Sequence, residues 1–276
     1  MAPQAKGRTQ TADIGNSIAN DFAEKGYAVL PQFVPADQRK RLLAWVNAAL
    51  QPLQGPVEYE TEVGYAGSPA NRDAPGGNTP RRLLAAYSRH RLLQNLATSE
   101  ALAQALAAIT GTDMALSQCH HNCIMTKCPG YSSTTLWHQD IRYWSFDRPE
   151  LISAWFALTD ETQANGALRL IPASHKLELA PEQFDAEQFL RPELPLNKAL
   201  IASAEEVELK AGDLLLFHSR TFHAAGKNTT SEKKLSAVFT YHALDNRPVA
   251  GSRSAQLPSI ELANPPLDPV ADSQSF

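Results

Sequence analysis

Three residues in this chain have the types and placing to hold a metal ion. In Trp137-His138-Gln139-Asp140, His138 and Asp140 are two apart, so on extended backbone both side chains leave the same face. His223 lies 85 residues beyond His138, just past the apolar run Leu214–Phe217, which reads as a strand. A barrel can return it beside the pair. Two imidazoles and one carboxylate on one face leave neighbouring coordination positions open, a donor set suited to oxygen chemistry at non-haem Fe(II). His-x-Asp alone is a weak signal, because the two side chains also pair for structural reasons.

The elements that must position these groups fall into two textures. Before Gly111 the spacing is mostly helical: a helix over Ser17–Lys25 stopped by Gly26, and a clear one over Ala36–Leu50 with Leu42, Leu43, Val46 and Leu50 as its stripe. Tyr27–Leu30 reads as a short strand between them. Thr79-Pro80 has the form of an N-cap with proline at the first helical position, so a helix is expected from about Arg81 to Leu93. Another runs from Ser99 to Gly111. The loop Thr61–Gly77, with Tyr65 in it, is placed to cover a site.

After Gly111, short β-branched and aromatic runs take over: Met114–Met125, Ile152–Leu158, Ala167–Ile171, Glu206–Leu209, Leu214–Phe217 and Leu235–Tyr241. Turn signals such as Cys128-Pro129-Gly130, Asn165-Gly166 and Gly212-Asp213 separate many of them. Many short strands without regular strand–helix alternation favour an antiparallel sandwich or barrel. Pro181–Leu190 reads as a helical insertion. The expected organisation is one domain over 1–276, with a flexible tail at 1–13, a mainly helical layer at 14–112, a β core at 113–245 and a surface tail at 246–276.

Composition sets the outer bounds. The 276 residues are 43% hydrophobic and 20% charged, with a formal charge of −4. That excludes a wholly disordered chain and weighs against a dedicated nucleic-acid binder. No stretch is long and apolar enough to span a membrane as a helix. Met1–Thr9 lacks the apolar core of a secretory signal, and three cysteines, Cys119, Cys123 and Cys128, make no disulfide framework, so a cytoplasmic location is expected.

Several ordered motifs carry a resemblance. They are Lys127-Cys128-Pro129, Trp137-His138-Gln139-Asp140, Trp155-Phe156-Ala157-Leu158-Thr159-Asp160, Asn165-Gly166-Ala167-Leu168-Arg169-Leu170-Ile171-Pro172-Ala173-Ser174-His175, Gly212-Asp213-Leu214-Leu215-Leu216-Phe217-His218 and Thr221-Phe222-His223-Ala224-Ala225-Gly226-Lys227-Asn228. In this the chain, over roughly Asp21–His242, resembles the phytanoyl-CoA dioxygenase family of Fe(II)/2-oxoglutarate oxygenases. The resemblance implies a double-stranded β-helix, or jelly roll, mainly β with a helical layer. It places iron on His138, Asp140 and His223. It also implies that 2-oxoglutarate is decarboxylated with dioxygen to succinate and carbon dioxide while a C–H bond of a small molecule is hydroxylated, with no side chain needed as a general base. Asp140 sits where related halogenases lack a carboxylate, which favours hydroxylation.

The family expects an arginine eleven residues after the distal histidine to grip the far carboxylate of 2-oxoglutarate; this chain has Lys234 there. Lysine meets a carboxylate as a point charge, not as a planar fork. Strand alternation puts Ser236 on the same face as Lys234, so its hydroxyl is a second donor. Asn122, Gln139, Trp155 and Lys127 are further co-substrate candidates by resemblance. For substrate, Arg142, Tyr143 and Trp144 follow the metal pair and Arg220 precedes His223.

Other readings stay open at this stage. Cys119, Cys123 and Cys128 with His120 and His121 match no usual zinc spacing and read as buried cysteines and ordinary strand histidines. His175, His218, His90 and His242 receive no site role. A jelly roll that only binds ligands, or a metal enzyme that does not use 2-oxoglutarate, competes with the oxygenase. The partner expected is a small molecule; a homo-oligomer is compatible with the sequence but not indicated by it.

Overall fold

A computed structural model describes residues 17–263. The expected tail at 1–13 and residues 264–276 lie outside the described residues. The helix α1 (residues 17–25) leads into β1 (Tyr27–Leu30), and α2 (Ala36–Leu50) follows. Next come β2 (Val57–Tyr59), β3 (Pro80–Leu84), α3 (Arg91–Ala97), α4 (Glu100–Thr110), β4 (Met114–Lys127) and β5 (Thr135–His138). The second half holds β6 (Leu151–Ala157), β7 (Leu168–Leu170), α5 (Pro195–Ala202), β8 (Glu205–Val207), β9 (Leu214–His218), β10 (His223–Ala225), β11 (Lys234–Ala243) and β12 (Ile260–Glu261).

Two antiparallel sheets face each other as a jelly roll. The larger has the order β1-β9-β6-β11-β4-β3-β2, with β12 also on β4; the smaller is β5-β10-β7-β8. Side-chain alternation along the central strands divides the interior into two cores. On β11, Ala237 and Phe239 turn outward to the helical layer, where Leu42, Val46, Leu93, Leu102 and Leu106 cover them. Val238 turns inward with Cys123, Trp155, Leu215 and Phe217, towards Leu168, Leu170 and Ala225 of the smaller sheet. Both faces of β6 are therefore buried, which explains its unbroken apolar run. Ser99 caps α4 through the Leu102 N–H, and Gly111 ends it in the left-handed conformation, φ +69°, as the sequence indicates.

Four expectations need correction. Residues 80–84 form strand β3, not the start of a helix; a 3-10 turn over Ala86–Ser88 follows, and the α-helix covers only Arg91–Ala97. The tertiary ladder overrides the local signal: β3 pairs Arg82, Leu83 and Leu84 with Met125, Ile124 and Cys123 of β4. Pro80 is tolerated as the first residue of that strand. The region 181–190 holds one short 3-10 turn, Pro181–Gln183, and the helix of this insertion is α5, begun by Pro195.

The third correction concerns β4. Its ladder with β11 jumps from Ser117↔Thr240 to Asn122↔Phe239, so residues 118–121 bulge out of the strand. His120 takes a left-handed φ of +61° there. His120 and His121 are therefore not ordinary strand histidines, and His121 lines the central cavity. The fourth concerns the C-terminal region: it does not merely lie on the surface, because Ile260 and Glu261 add a strand to β4.

The packing makes one stability prediction. Phe239 is fully buried between Phe156 and the helices. Phe239→Ala is expected to lower unfolding free energy by about 3–5 kcal/mol, measured by urea denaturation with an unchanged m-value.

Candidate metal centre

The pairing of β5 with β10 builds the centre. His223 and His138 are direct cross-strand partners, and their rings lie 4.3 Å apart, centroid to centroid. Gln139 stays extended, so Asp140, at the start of a 3-10 turn, comes back to the side of His138. One ligand atom from each of His138, Asp140 and His223 falls within 4.8 Å of the others. All three residues are buried.

Each histidine is oriented by its far nitrogen. Nδ1 of His138 lies 2.8 Å from the Leu136 carbonyl, and Nδ1 of His223 lies 3.1 Å from that of Thr221. A proton donated there leaves each Nε2 as a free lone pair. Those two Nε2 atoms sit 3.6 and 3.4 Å from Oδ1 of Asp140. That oxygen is buried and accepts no hydrogen bond. The other oxygen, Oδ2, accepts from Ser153 at 3.0 Å and faces Nδ1 of His121 at 3.3 Å. A buried carboxylate oxygen left without a donor, with two imidazole lone pairs converging on it, fits a divalent cation between them.

The electrostatics of the triad are set by burial and by the three groups' mutual charges. Burial would raise the Asp140 carboxyl, but His121 and His223 hold it well below the usual carboxylate range. Burial, reinforced by the neighbouring His223, pushes His138 down to about 4, so it is a neutral ligand. His223 is lowered by burial, but Asp140 outweighs this and its value is raised.

The cavity beside the triad has a basic end. It is lined by Arg81, Arg82, Lys127 and Lys234, together with Tyr65, Tyr143 and Trp155. Arg81 pairs with Glu60 at 3.2 Å and Glu58 at 3.6 Å; Arg82 meets Glu58 at 3.5 Å. Lys234 pairs with Glu161 at 2.8 Å, and both are almost wholly enclosed. The other Glu161 oxygen accepts from Ser236 at 2.5 Å and from the Trp155 indole at 2.7 Å. Lys234 and Ser236, predicted to hold an oxoacid carboxylate, thus already hold one belonging to the protein, together with the co-substrate candidate Trp155.

The remaining predicted residues separate clearly. Lys127 reaches the cavity, and burial, with Lys234 opposite, pushes its ammonium down to about 7. Asn122 accepts from the Tyr87 N–H at 2.8 Å and donates to Gln118 at 3.3 Å, bracing the bulge and not the cavity. Gln139 donates to the Arg220 carbonyl at 2.5 Å and lines an outer groove with Arg142, Leu179 and Phe184. Tyr143 lines the central cavity; Arg142 stacks 4.0 Å over the Phe189 ring. Trp144 packs edge-on to His121, away from the cavity lining. Arg220 points to the surface and pairs with Glu178 at 2.5 Å.

Glu161, His121, Arg81 and Arg82 were missed in the sequence. Glu161 follows Asp160 in an apparent turn and meets Lys234 only across 73 residues. His121 depends on the bulge, and the arginines on a strand that reads as a helix. The acidic run Glu58–Glu62 opposite Arg81-Arg82 was the one available signal for the latter pair.

A jelly roll carrying two histidines and a carboxylate at one mouth has the architecture and donor set of the non-haem iron oxygenases. The profile of the phytanoyl-CoA dioxygenase family matches residues 22–235. The ectoine dioxygenase of Halomonas elongata is 26% identical over 91% of this chain and 77% of its own length. A probable alpha-ketoglutarate-dependent hypophosphite dioxygenase of Stutzerimonas stutzeri is 22% identical, over 84% of this chain and 79% of its own. Among solved structures, the epimerase SnoN, in complex with Fe3+, alpha ketoglutarate and nogalamycin RO, superposes with a TM-score of 0.71 at 22% identity, covering 90% of this chain and 91% of that one. EctD from S. alaskensis with 2-oxoglutarate and 5-hydroxyectoine gives 0.65 at 20%, covering 83% and 76%. The chain belongs to the phytanoyl-CoA dioxygenase family. It is an Fe(II)- and 2-oxoglutarate-dependent dioxygenase.

The buried ion pair makes a prediction of its own. Glu161→Ala leaves Lys234 enclosed without a counter-charge and is expected to cost about 3–5 kcal/mol. Lys234→Met combined with Glu161→Gln removes both charges and is expected to cost clearly less than Glu161→Ala, by urea denaturation.

Proposed function

We propose that this dioxygenase hydroxylates a C–H bond of a small organic molecule, with iron held by His138, Asp140 and His223 and the oxoacid lying in the basic end of the same cavity. The reading is carried by one observation: two oriented Nε2 lone pairs and the orphaned Asp140 oxygen converge in a buried pocket. Bound there, Fe(II) with 2-oxoglutarate and dioxygen supplies oxidative decarboxylation, giving succinate and carbon dioxide, and the oxidising power for C–H hydroxylation.

The protein's own residues do the rest by placing and shielding. Leu136 and Thr221 carbonyls fix the two imidazole tautomers. Ser153 and His121 hold the second Asp140 oxygen, so the first stays turned to the histidines. Phe189 lies edge-on to both Tyr65 and His138, at 5.7 and 5.8 Å, and sets a buried apolar ring beside the metal ligands. Water excluded there strengthens every charge interaction inside. Tyr143, which lines the cavity, and Arg142, which lines the outer groove and lies 5.0 Å from the Tyr143 ring, are the side chains assigned to meet the substrate. No general base is required of them.

The ligand assignment is tested by metal content. His138→Ala, Asp140→Ala and His223→Ala should each fall from one equivalent of Fe(II) to a small fraction of it, with succinate release lost in parallel. Full stoichiometric iron in any of the three variants would remove that residue from the ligand set.

A further inference from the structure

Four cations line the cavity, and three are already matched. Arg81 and Arg82 face Glu58 and Glu60, and Lys234 faces Glu161. Lys127 differs. Its Nζ donates to two backbone carbonyls, Ser133 at 2.8 Å and Gly226 at 2.6 Å. Among the described residues, no carboxylate lies within ion-pair distance of it. An ammonium has three donors, so one remains for an anion.

Lys127 is also built into position. It is the direct cross-strand partner of Lys234 in the β4–β11 ladder, so the two buried ammonium groups share one face. Like charges set directly opposite one another are destabilising; Glu161 relieves Lys234 and leaves Lys127 without a counter-charge of its own. Gly166 makes room for the Lys127 stem: with φ +81°, a Cβ there would lie 2.9 Å from Lys127 Cδ and 2.5 Å from the Gly226 carbonyl. The fold thus holds a cation at the end of the cavity with two of its donors fixed.

Lys234 cannot easily be released to take this role. The Glu161 backbone is clamped by reciprocal hydrogen bonds with Leu209, at 2.8 and 3.0 Å. Its carboxylate accepts from Lys234, Ser236 and Trp155 together. An incoming carboxylate that displaced it would leave Glu161 buried and unpaired.

We infer that Lys127, not Lys234, supplies the counter-charge for the far carboxylate of the oxoacid, while Glu161 neutralises Lys234 as an internal carboxylate. The inference rests on the reading of this cavity as the 2-oxoglutarate site. It ties the departure at position 234 to Glu161: the internal carboxylate occupies the lysine that stands where the arginine is expected, and the far carboxylate is left to Lys127.

The test compares two five-carbon oxoacids, 2-oxoglutarate and 2-oxovalerate, which ends in a methyl group where the other has a carboxylate. Dissociation constants are measured anaerobically on the Fe(II)-loaded enzyme by calorimetry. Wild type should prefer 2-oxoglutarate at least tenfold. Lys127→Met should lose most of that preference, by weakening 2-oxoglutarate at least tenfold with 2-oxovalerate nearly unchanged. Lys127→Gln keeps amide donors for the two carbonyls and should give the same result should the Met variant not fold. Lys234→Met with Glu161→Gln should keep the preference to within threefold. Loss of the preference in that double variant, or its survival in Lys127→Gln, overturns the assignment. A wild-type enzyme without any preference would instead defeat the reading of the cavity itself, and the Lys127 assignment with it.

Discussion

The cross-strand pairing of His138 with His223 is the constraint on which the site depends. Each residue ends or begins a short strand of the smaller sheet, and neither strand could hold its place alone. The larger sheet, packed on its outer face by the helices, provides the rigid wall that the smaller sheet closes against. Asp140 then reaches the pair only because Gln139 remains extended before the chain tightens into a 3-10 turn. The result is a carboxylate oxygen held away from every donor but facing two imidazole lone pairs, an arrangement that is unfavourable without a cation.

Charge inside the cavity is arranged in the same economical way. Arginines 81 and 82 are neutralised by the acidic strand residue Glu58 and by Glu60, and Lys234 by Glu161. The burial of so many ionised groups is tolerable only because nearly all are paired and hydrogen-bonded. Lys127 is the exception, and its place opposite Lys234 concentrates unmatched positive charge at one end. The metal site and the basic end are thus two complementary parts of one cavity, lined in common by residues of β4, β6 and β11.

Much of the fold was legible in the sequence because the central strands are buried on one or both faces and leave strong apolar runs. β6, β9 and β11 stand where those runs lie. The metal ligands were legible because His138 and Asp140 are close in sequence and His223 follows a clear strand. The parts that escaped are those decided by tertiary pairing. Arg81–Leu84 has a helical start signal, yet the β4 ladder makes it a strand. His121 reaches Asp140 only through a bulge that includes a left-handed His120. Glu161 acquires its meaning from partners on β6 and β11, one of them 73 residues away, which no local pattern announces.

The central claim is that one cavity binds Fe(II) and 2-oxoglutarate together. Its most direct test is anaerobic titration of the Fe(II)-loaded protein with 2-oxoglutarate, followed by visible absorption. Chelation of the metal by the oxoacid should give a saturable charge-transfer band that is absent without iron. Iron bound at one equivalent with no band at any 2-oxoglutarate concentration would contradict the account.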